Sequence, residues 1–136
     1  MAITKFVLQL EDVKRIAAAA EAEARDRQWA VSIAIVDDGG HLLLLHRLDG
    51  ASALSSHVAP AKAHAAAIGR RETRVHDEAI SGGRHALLTL PNVQGLLEGG
   101  IPIVHDHQTI GAIGVSGVKS EQDAQIARAG VAALRL

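Results

Sequence analysis

Histidines are the residues of this sequence with the widest chemical range. His105 and His107 flank Asp106 between two apolar, β-branched runs. Alternate residues of a strand point to one face, so the pair could chelate a metal, or one ring could be held while the other moves protons. Alternatively, His107 fills a turn position with positive φ, which His tolerates better than most residues, and His105 is an exposed residue at a strand end.

A second pair of histidines, His57 and His64, lies in an alanine-rich segment. Seven residues are close to two helical turns, which places both rings on one face of a straight helix, about 10 Å apart. That separation is too large for one mononuclear metal, so each ring could meet a histidine from elsewhere or from another copy. Alternatively, the two rings form a polar stripe or an interface. His41 and His46 flank a leucine run, face opposite sides and are interpreted as structural.

Lys62 is the candidate cation of the same alanine-rich segment. Its ammonium could bind a substrate carboxylate, or its stem could cover apolar surface while the charged head stays in water. Free backbone N–H groups around an anion are possible at four residues near the second hairpin, where turn geometry alone is the alternative. These four residues are Gly99, Gly100, Ser116 and Gly117.

The composition limits the classes of partner and of chemistry. The 136 residues suffice for one core, and we expect a single domain over 1–136. A net charge of −1 and only two aromatic residues, Phe6 and Trp29, give no reason to expect nucleic acid or an anionic membrane as partner. The absence of cysteine excludes disulfides, thiolate metal sites and cysteine nucleophiles. No apolar run approaches the roughly 20 residues of a membrane span, and residues 1–6 lack a signal-peptide layout, so we expect a cytoplasmic protein.

Hydrophobic periodicity predicts the elements of the first two thirds of the chain. Residues 10–28 form an amphipathic helix, and residues 30–37 and 41–48 form a hairpin. A helix follows from about Ser52 to 71, with a kink at Pro60. Residues 72–92 are polar and predict an irregular, flap-like segment with a short helical turn at 84–89.

The last third of the sequence predicts a second hairpin and a final helix. The hairpin covers roughly 101–117, and the helix runs to about Leu134 after a capping box formed by Ser120 and Asp123. Glycines in the second strand predict close approach of another backbone or of a ligand. Two hairpins joined by a helical connection imply an α+β fold, a mostly antiparallel sheet flanked by helices.

Motifs along nearly the whole chain resemble, in order, those of the GlcG/HbpS family, which also occurs as the C-terminal domain of PduO-type proteins. The family's V-D-x-G-G-x-L turn resembles Asp37-Asp38-Gly39-Gly40-His41-Leu42. Its helix motif M-D-G-A…A-x-x-K-A-x-T-A resembles Asp49-Gly50-Ala51, then Ala61-Lys62-Ala63 and Ala65-Ala66. Its G-G-x-P-I…G-A-I-G-V-S-G…E-Q-D signature resembles Gly99-Gly100-Ile101-Pro102-Ile103, Gly111-Ala112-Ile113-Gly114-Val115-Ser116-Gly117 and Glu121-Gln122-Asp123.

The resemblance implies a profilin-like α+β fold, homo-oligomers from dimers upward, and either haem binding or a place in catabolic gene clusters for small organic acids. Lys62 matches the helix lysine of the family and could bind a haem propionate. PduO-type members are associated with a haem-ligating histidine toward the N-terminus, whereas residues 1–40 contain no histidine. Without Cys or Tyr, and with Met only at position 1, the axial ligand of a haem here would be a histidine.

Three functions are therefore open. The first is an oligomeric protein that binds haem or a small ligand through His57 and the four residues near the second hairpin. The second is a catabolic enzyme that acts on an organic acid by histidine proton transfer or as a metal-assisted lyase or isomerase. Its catalytic candidates are His105, His107, His64 and Lys62. The third is a non-catalytic scaffold.

Overall fold

A computed structural model describes all residues, 1–136. The chain forms α1 (Leu10–Asp26), β1 (Ser32–Asp37), β2 (Leu42–Arg47), α2 (Ser55–Gly69), α3 (Thr73–Ser81), a 3₁₀ helix (His85–Thr89), β3 (Gly100–His105), β4 (Gln108–Ser116) and α4 (Ser120–Val131). No helix is long and apolar enough to cross a membrane.

The sheet has four antiparallel strands in the order β2-β1-β4-β3. Alternate side chains of β1 point to opposite faces of the sheet and pack into two separate cores. Ile33 and Ile35 pack with α1 and α4 on one face, and Ala34 and Val36 pack with the alanines of α2 on the other. The predicted α+β fold, with an antiparallel sheet flanked by helices, is therefore confirmed.

The helix α2 lies unusually close to the sheet because the facing residues are small. Its buried face is made mostly of alanines, and it runs continuously through Pro60. A Cβ built at Gly114 of β4 would lie 2.2 Å from the carbonyl oxygen of Ala59. The glycine expected to admit another backbone or a ligand thus admits the backbone of α2.

Residues 72–92 are more regular than their polarity suggests. The prediction of an irregular segment is wrong over Thr73–Ser81, which forms α3, whereas the short helical turn near 84–89 is present as the 3₁₀ helix. Thr73 is the only buried residue of α3, and only three of the nine residues in this short helix are apolar, namely Val75, Ala79 and Ile80. The hydroxyl of Thr73 anchors the segment by accepting the N–H of Gly100 at 2.9 Å.

The start of α4 also differs from the prediction. The expected capping box of Ser120 and Asp123 is wrong, because Lys119 is the N-cap and its N–H is donated to Gln122 Oε1 at 3.3 Å. Asp123 is buried instead, 2% exposed. An acid that looks like a helix cap in the sequence is therefore part of the core.

Candidate functional site

A buried ion pair joins α2 to α4. Lys62 is 2% exposed, and its Nζ donates to Asp123 Oδ2 and to the carbonyl oxygen of Val115, both at 3.0 Å. Burial raises the pKa of Asp123 above its ordinary value, while the Lys62 ammonium and the N–H of Val118 act against that rise. Both charges are satisfied within the core. The Lys62 ammonium therefore lies in the core. It is neither at a surface site for a ligand nor in water.

The four candidate anion binders near the second hairpin pack against neighbouring elements. A Cβ at Gly99 would lie 2.8 Å from Lys62 Nζ, and Gly100 already donates its N–H to Thr73. Gly117 has a φ of +146° and abuts the backbone at Ala30, and Ser116 pairs with Ser32. Close packing and turn geometry account for these residues.

The two histidines of α2 do not meet one another. His57 is exposed, whereas His64 is half-buried, and its Nδ1 lies 3.2 Å from the carbonyl oxygen of Gly40 in the β1–β2 turn. A donor is needed for that carbonyl, so Nδ1 of His64 carries the proton in this contact. The two rings thus have different surroundings on one helix.

The tip of the second hairpin is a two-residue turn. Asp106 has a φ of +51° and His107 a φ of +62°, the conformation of a hairpin turn that usually takes Asn or Gly. The ring of His105 packs edge-on against Phe6, with centroids 4.3 Å apart. Across the chain, no group of three or more His, Asp or Glu side chains is placed to hold a metal ion.

His107 lines a polar cleft of about 640 Å³ beside the hairpin tip. We call it the cationic cleft, because its charged residues are Lys5, Arg70 and one acid, Asp38. Lys5 forms an ion pair with Asp38, and this hydrogen bond holds the pKa of Asp38 below its ordinary value. The remaining lining residues are Ile3, Val104, Gln108 and Thr109.

A second recess, the α1–β2 groove, has a volume of about 240 Å³. Its apolar residues are Leu10, Ala17, Ala18 and Leu44, and Lys14 stands at its rim. His46 of β2 lies in the groove, with its Nδ1 within hydrogen-bonding distance of Glu21 Oε1 on α1. An ionised carboxylate only accepts, so Nδ1 is the donor in this contact, and in a neutral imidazole Nε2 then carries the lone pair.

The interpretation of His46 as a structural residue missed this pair. Glu21 and His46 are 25 residues apart, and nothing in either local pattern links them. One signal was present: His46 and Leu44 alternate onto the face of β2 that packs under α1. Among the predicted site residues, the structure brings Lys62 together with Gly99 and Gly100. The predicted histidines His57, His64 and His107 do not contact the Glu21–His46 pair.

Comparison with known proteins assigns the chain to a family. The sequence model described as "Haem degrading protein HbpS-like" matches residues 8–132. The protein GlcG of Escherichia coli K12 is 47% identical over 113 residues, which cover 83% of this chain and 84% of GlcG.

Solved structures agree with this assignment. A double mutant of Streptomyces reticuli HbpS superposes with a TM-score of 0.89 at 31% identity, covering 99% of this chain and 92% of that one. The PduOC:heme complex superposes with a TM-score of 0.83 at 30% identity, covering 96% of both chains. The match over residues 8–132, together with the shared antiparallel sheet and helices, shows that this chain belongs to the HbpS-like family.

Proposed function

We propose that this chain is a haem-binding protein that works as a homo-oligomer, with His46 as the iron ligand. The observation that carries the proposal is the Glu21–His46 pair in an apolar groove. The description of the family names haem degradation, and one structural neighbour is a haem complex. Both findings support haem as the ligand.

The donor set fits an iron held in a macrocycle. A free metal ion needs three or more protein ligands, and the chain assembles no such group. A macrocycle supplies four nitrogens to its iron, so one protein imidazole completes a stable site. Metal-binding histidines usually donate their second ring N–H to a carboxylate, which fixes the ring and raises its basicity. Glu21 has that relation to His46.

The shape and charge of the groove fit part of a haem. Apolar side chains offer a surface for the macrocycle, and Lys14 at the rim could pair with a propionate. The groove is smaller than the roughly 300–1,000 Å³ of cavities that enclose a drug-sized ligand. A second copy would therefore cover the rest of the macrocycle. Leu42 and Leu43 of β2 are 55% and 40% exposed on the edge strand beside the groove and offer an apolar surface for that copy.

Haem bound here supplies redox-active iron. Glu21 would fix the imidazole, Leu10 and Leu44 would contact the macrocycle, and Lys14 would neutralise one carboxylate. His57, His64, His105 and His107 stay predictions as ligands, and they serve as comparison positions in the test.

Titration with hemin, followed by the Soret band, tests the proposal. We expect wild type to saturate at a fixed stoichiometry, and His46→Ala to lose the saturable Soret shift. Glu21→Ala should weaken binding about 10–100-fold, since no outer carboxylate then accepts from the ring. His57→Ala, on an exposed face of α2, is the matched control and should bind as wild type does. Unchanged hemin binding by His46→Ala, or loss in His57→Ala alone, would refute the assignment.

A further inference from the structure

We propose that the cationic cleft is a separate binding site for a small organic carboxylate, held by Arg70 and Lys5. This inference does not rest on haem binding, because the cleft contains neither Glu21 nor His46. Eight residues line the cleft, and three segments bring its charges together: the N-terminal segment, the β1–β2 turn and the end of α2.

The formal charge of the cleft suits a single carboxylate. Lys5 and Arg70 supply two positive charges and Asp38 one negative charge, which leaves one positive charge unbalanced. A monocarboxylate would neutralise the cleft, whereas a doubly charged phosphate would leave it negative. The cleft volume of about 640 Å³ is in the usual range of small-molecule sites.

Arg70 presents a suitable fork to a carboxylate. Its Nη1 donates to the carbonyl oxygens of Asp38 at 2.7 Å and Ala67 at 3.0 Å. These two contacts fix the plane of the guanidinium and leave the donors on Nε and Nη2 for a ligand. A planar guanidinium matches the two oxygens of a carboxylate, so a fixed plane favours two parallel hydrogen bonds.

Two residues of the cleft occupy backbone positions that usually take glycine. Arg70 ends α2 with a φ of +57°, where Gly or Asn is the common residue, and His107 has a φ of +62° in the hairpin turn. Both side chains line the cleft. Glycine at either position would relieve the strain of the positive φ, but it would remove a polar side chain from the cleft. The conformational preference of the backbone therefore does not explain why Arg70 and His107 are present.

The wall formed by the N-terminal segment has one unsatisfied group. Gln108 Nε2 donates to the carbonyl oxygen of Thr4 at 3.2 Å, whereas the buried Gln108 Oε1 has no partner. Lys5, on the same segment, pairs with Asp38. A carboxylate between Lys5 and Arg70 would share the Lys5 ammonium with Asp38, and Gln108 Oε1 is an acceptor left for a hydroxyl or N–H of the ligand. Organic acids that also carry a hydroxyl group are therefore the favoured class.

Nuclear magnetic resonance titration with lactate tests the proposal, with propionate, lactamide and inorganic phosphate as comparison probes. We expect saturable shifts of the amides at Arg70, Asp38 and His107 with lactate, weaker binding of propionate, and no saturable shifts with lactamide, which has no charge. Phosphate should bind more weakly than lactate. Saturable shifts with lactamide equal to those with lactate would overturn the proposal, as would the absence of saturation with lactate.

Arg70→Gly is the decisive variant, because glycine suits the left-handed backbone at this position and should keep the fold intact. It should weaken lactate binding about 10–100-fold, in line with loss of hydrogen bonds to a charged group. The control is Arg74→Gln, which removes the charge of an exposed arginine in α3. This variant should bind lactate as wild type does. Wild-type affinity in Arg70→Gly would overturn the proposal. His46→Ala should retain lactate binding, which separates this site from the haem site.

Discussion

At the scale of single residues, burial distinguishes the two ion pairs Lys62–Asp123 and Glu21–His46. Lys62 and Asp123 are both removed from water and satisfy one another, with the carbonyl oxygen of Val115 as a further partner. Glu21 and His46 are a part-exposed pair beside a recess. Both charges of the first pair are buried in the core, whereas Nε2 of the part-exposed His46 makes no hydrogen bond.

Breaking the buried pair should cost far more stability than breaking an exposed one. Lys62→Met leaves the Asp123 carboxylate buried without its cation, and we expect a loss of about 3–5 kcal/mol in the free energy of unfolding by urea. Lys62→Met with Asp123→Asn should recover part of that loss, since no charge is left buried and Asn can still accept from Val118. Lys14→Met, at an exposed pair with Glu11, should change stability by less than about 1 kcal/mol. Equal effects of the two lysine substitutions would contradict this interpretation.

The pH dependence of stability should contain a contribution from His76. Burial, with a smaller effect from Arg71, lowers the pKa of His76 below its ordinary value of 6.5. The unfolded chain therefore takes up this proton first as the pH falls. The contribution is complete above pH 6.5 and is lost as the pH falls through 6.5 toward the lower folded pKa.

His76→Gln tests this contribution in urea unfolding between about pH 8 and pH 5. As the pH falls through this window, we expect the free energy of unfolding of wild type to decrease relative to that of the variant. His85→Gln, on an exposed residue of the 3₁₀ helix, is the control and should show a smaller pH-dependent difference. A wild-type-minus-His76→Gln difference that stays constant over the window would argue against the lowered pKa.

At the scale of elements, the contact of α2 with β4 sets the geometry of the molecule. Gly114 faces the backbone of α2 at Ala59 and Ala63, where no side chain fits. The same helix carries Lys62 toward α4 and ends at Arg70 in the cationic cleft. Its distance from the sheet therefore affects both the core pair and the cleft.

Gly114→Ala should push α2 away from the sheet. The added Cβ would lie 2.5 Å from the backbone nitrogen of Ala63 as well as 2.2 Å from Ala59 O, so backbone atoms must move. We expect a loss of about 1–3 kcal/mol or more in thermal or urea unfolding. Gly69→Ala is the matched control, because its Cβ would meet nothing nearer than 3.6 Å, and it should be neutral or stabilising. Equal losses in both variants would show that packing against α2 is not the cause.

At the scale of the whole molecule, local patterns predicted the α+β fold but not the side-chain pairs that join distant elements. Hairpins and amphipathic helices follow from periodicity and turn residues, and the positive φ of His107 was one of two alternatives for that residue. The partners of Lys62 and Glu21 are 61 and 25 residues away in sequence, and side-chain pairing over such distances has no local signature. The helix α3 was missed because six of its nine residues are polar, which resembles the composition of a loop.

The proposed association of two copies would use β2, an edge strand with exposed leucines. Unpaired apolar edges favour association, and charged residues on an edge oppose it. We expect sedimentation of the hemin-saturated chain to give a mass at least twice the 14.2 kDa of one chain. Leu43→Lys, at an exposed leucine of this edge strand, should shift the mass toward one chain and weaken hemin binding, because the groove loses the copy that covers the macrocycle. Leu88→Lys, at an exposed leucine of the 3₁₀ helix, is the control and should keep the assembly. A hemin-saturated wild type that sediments as a single chain would show that the α1–β2 groove holds its ligand without a second copy.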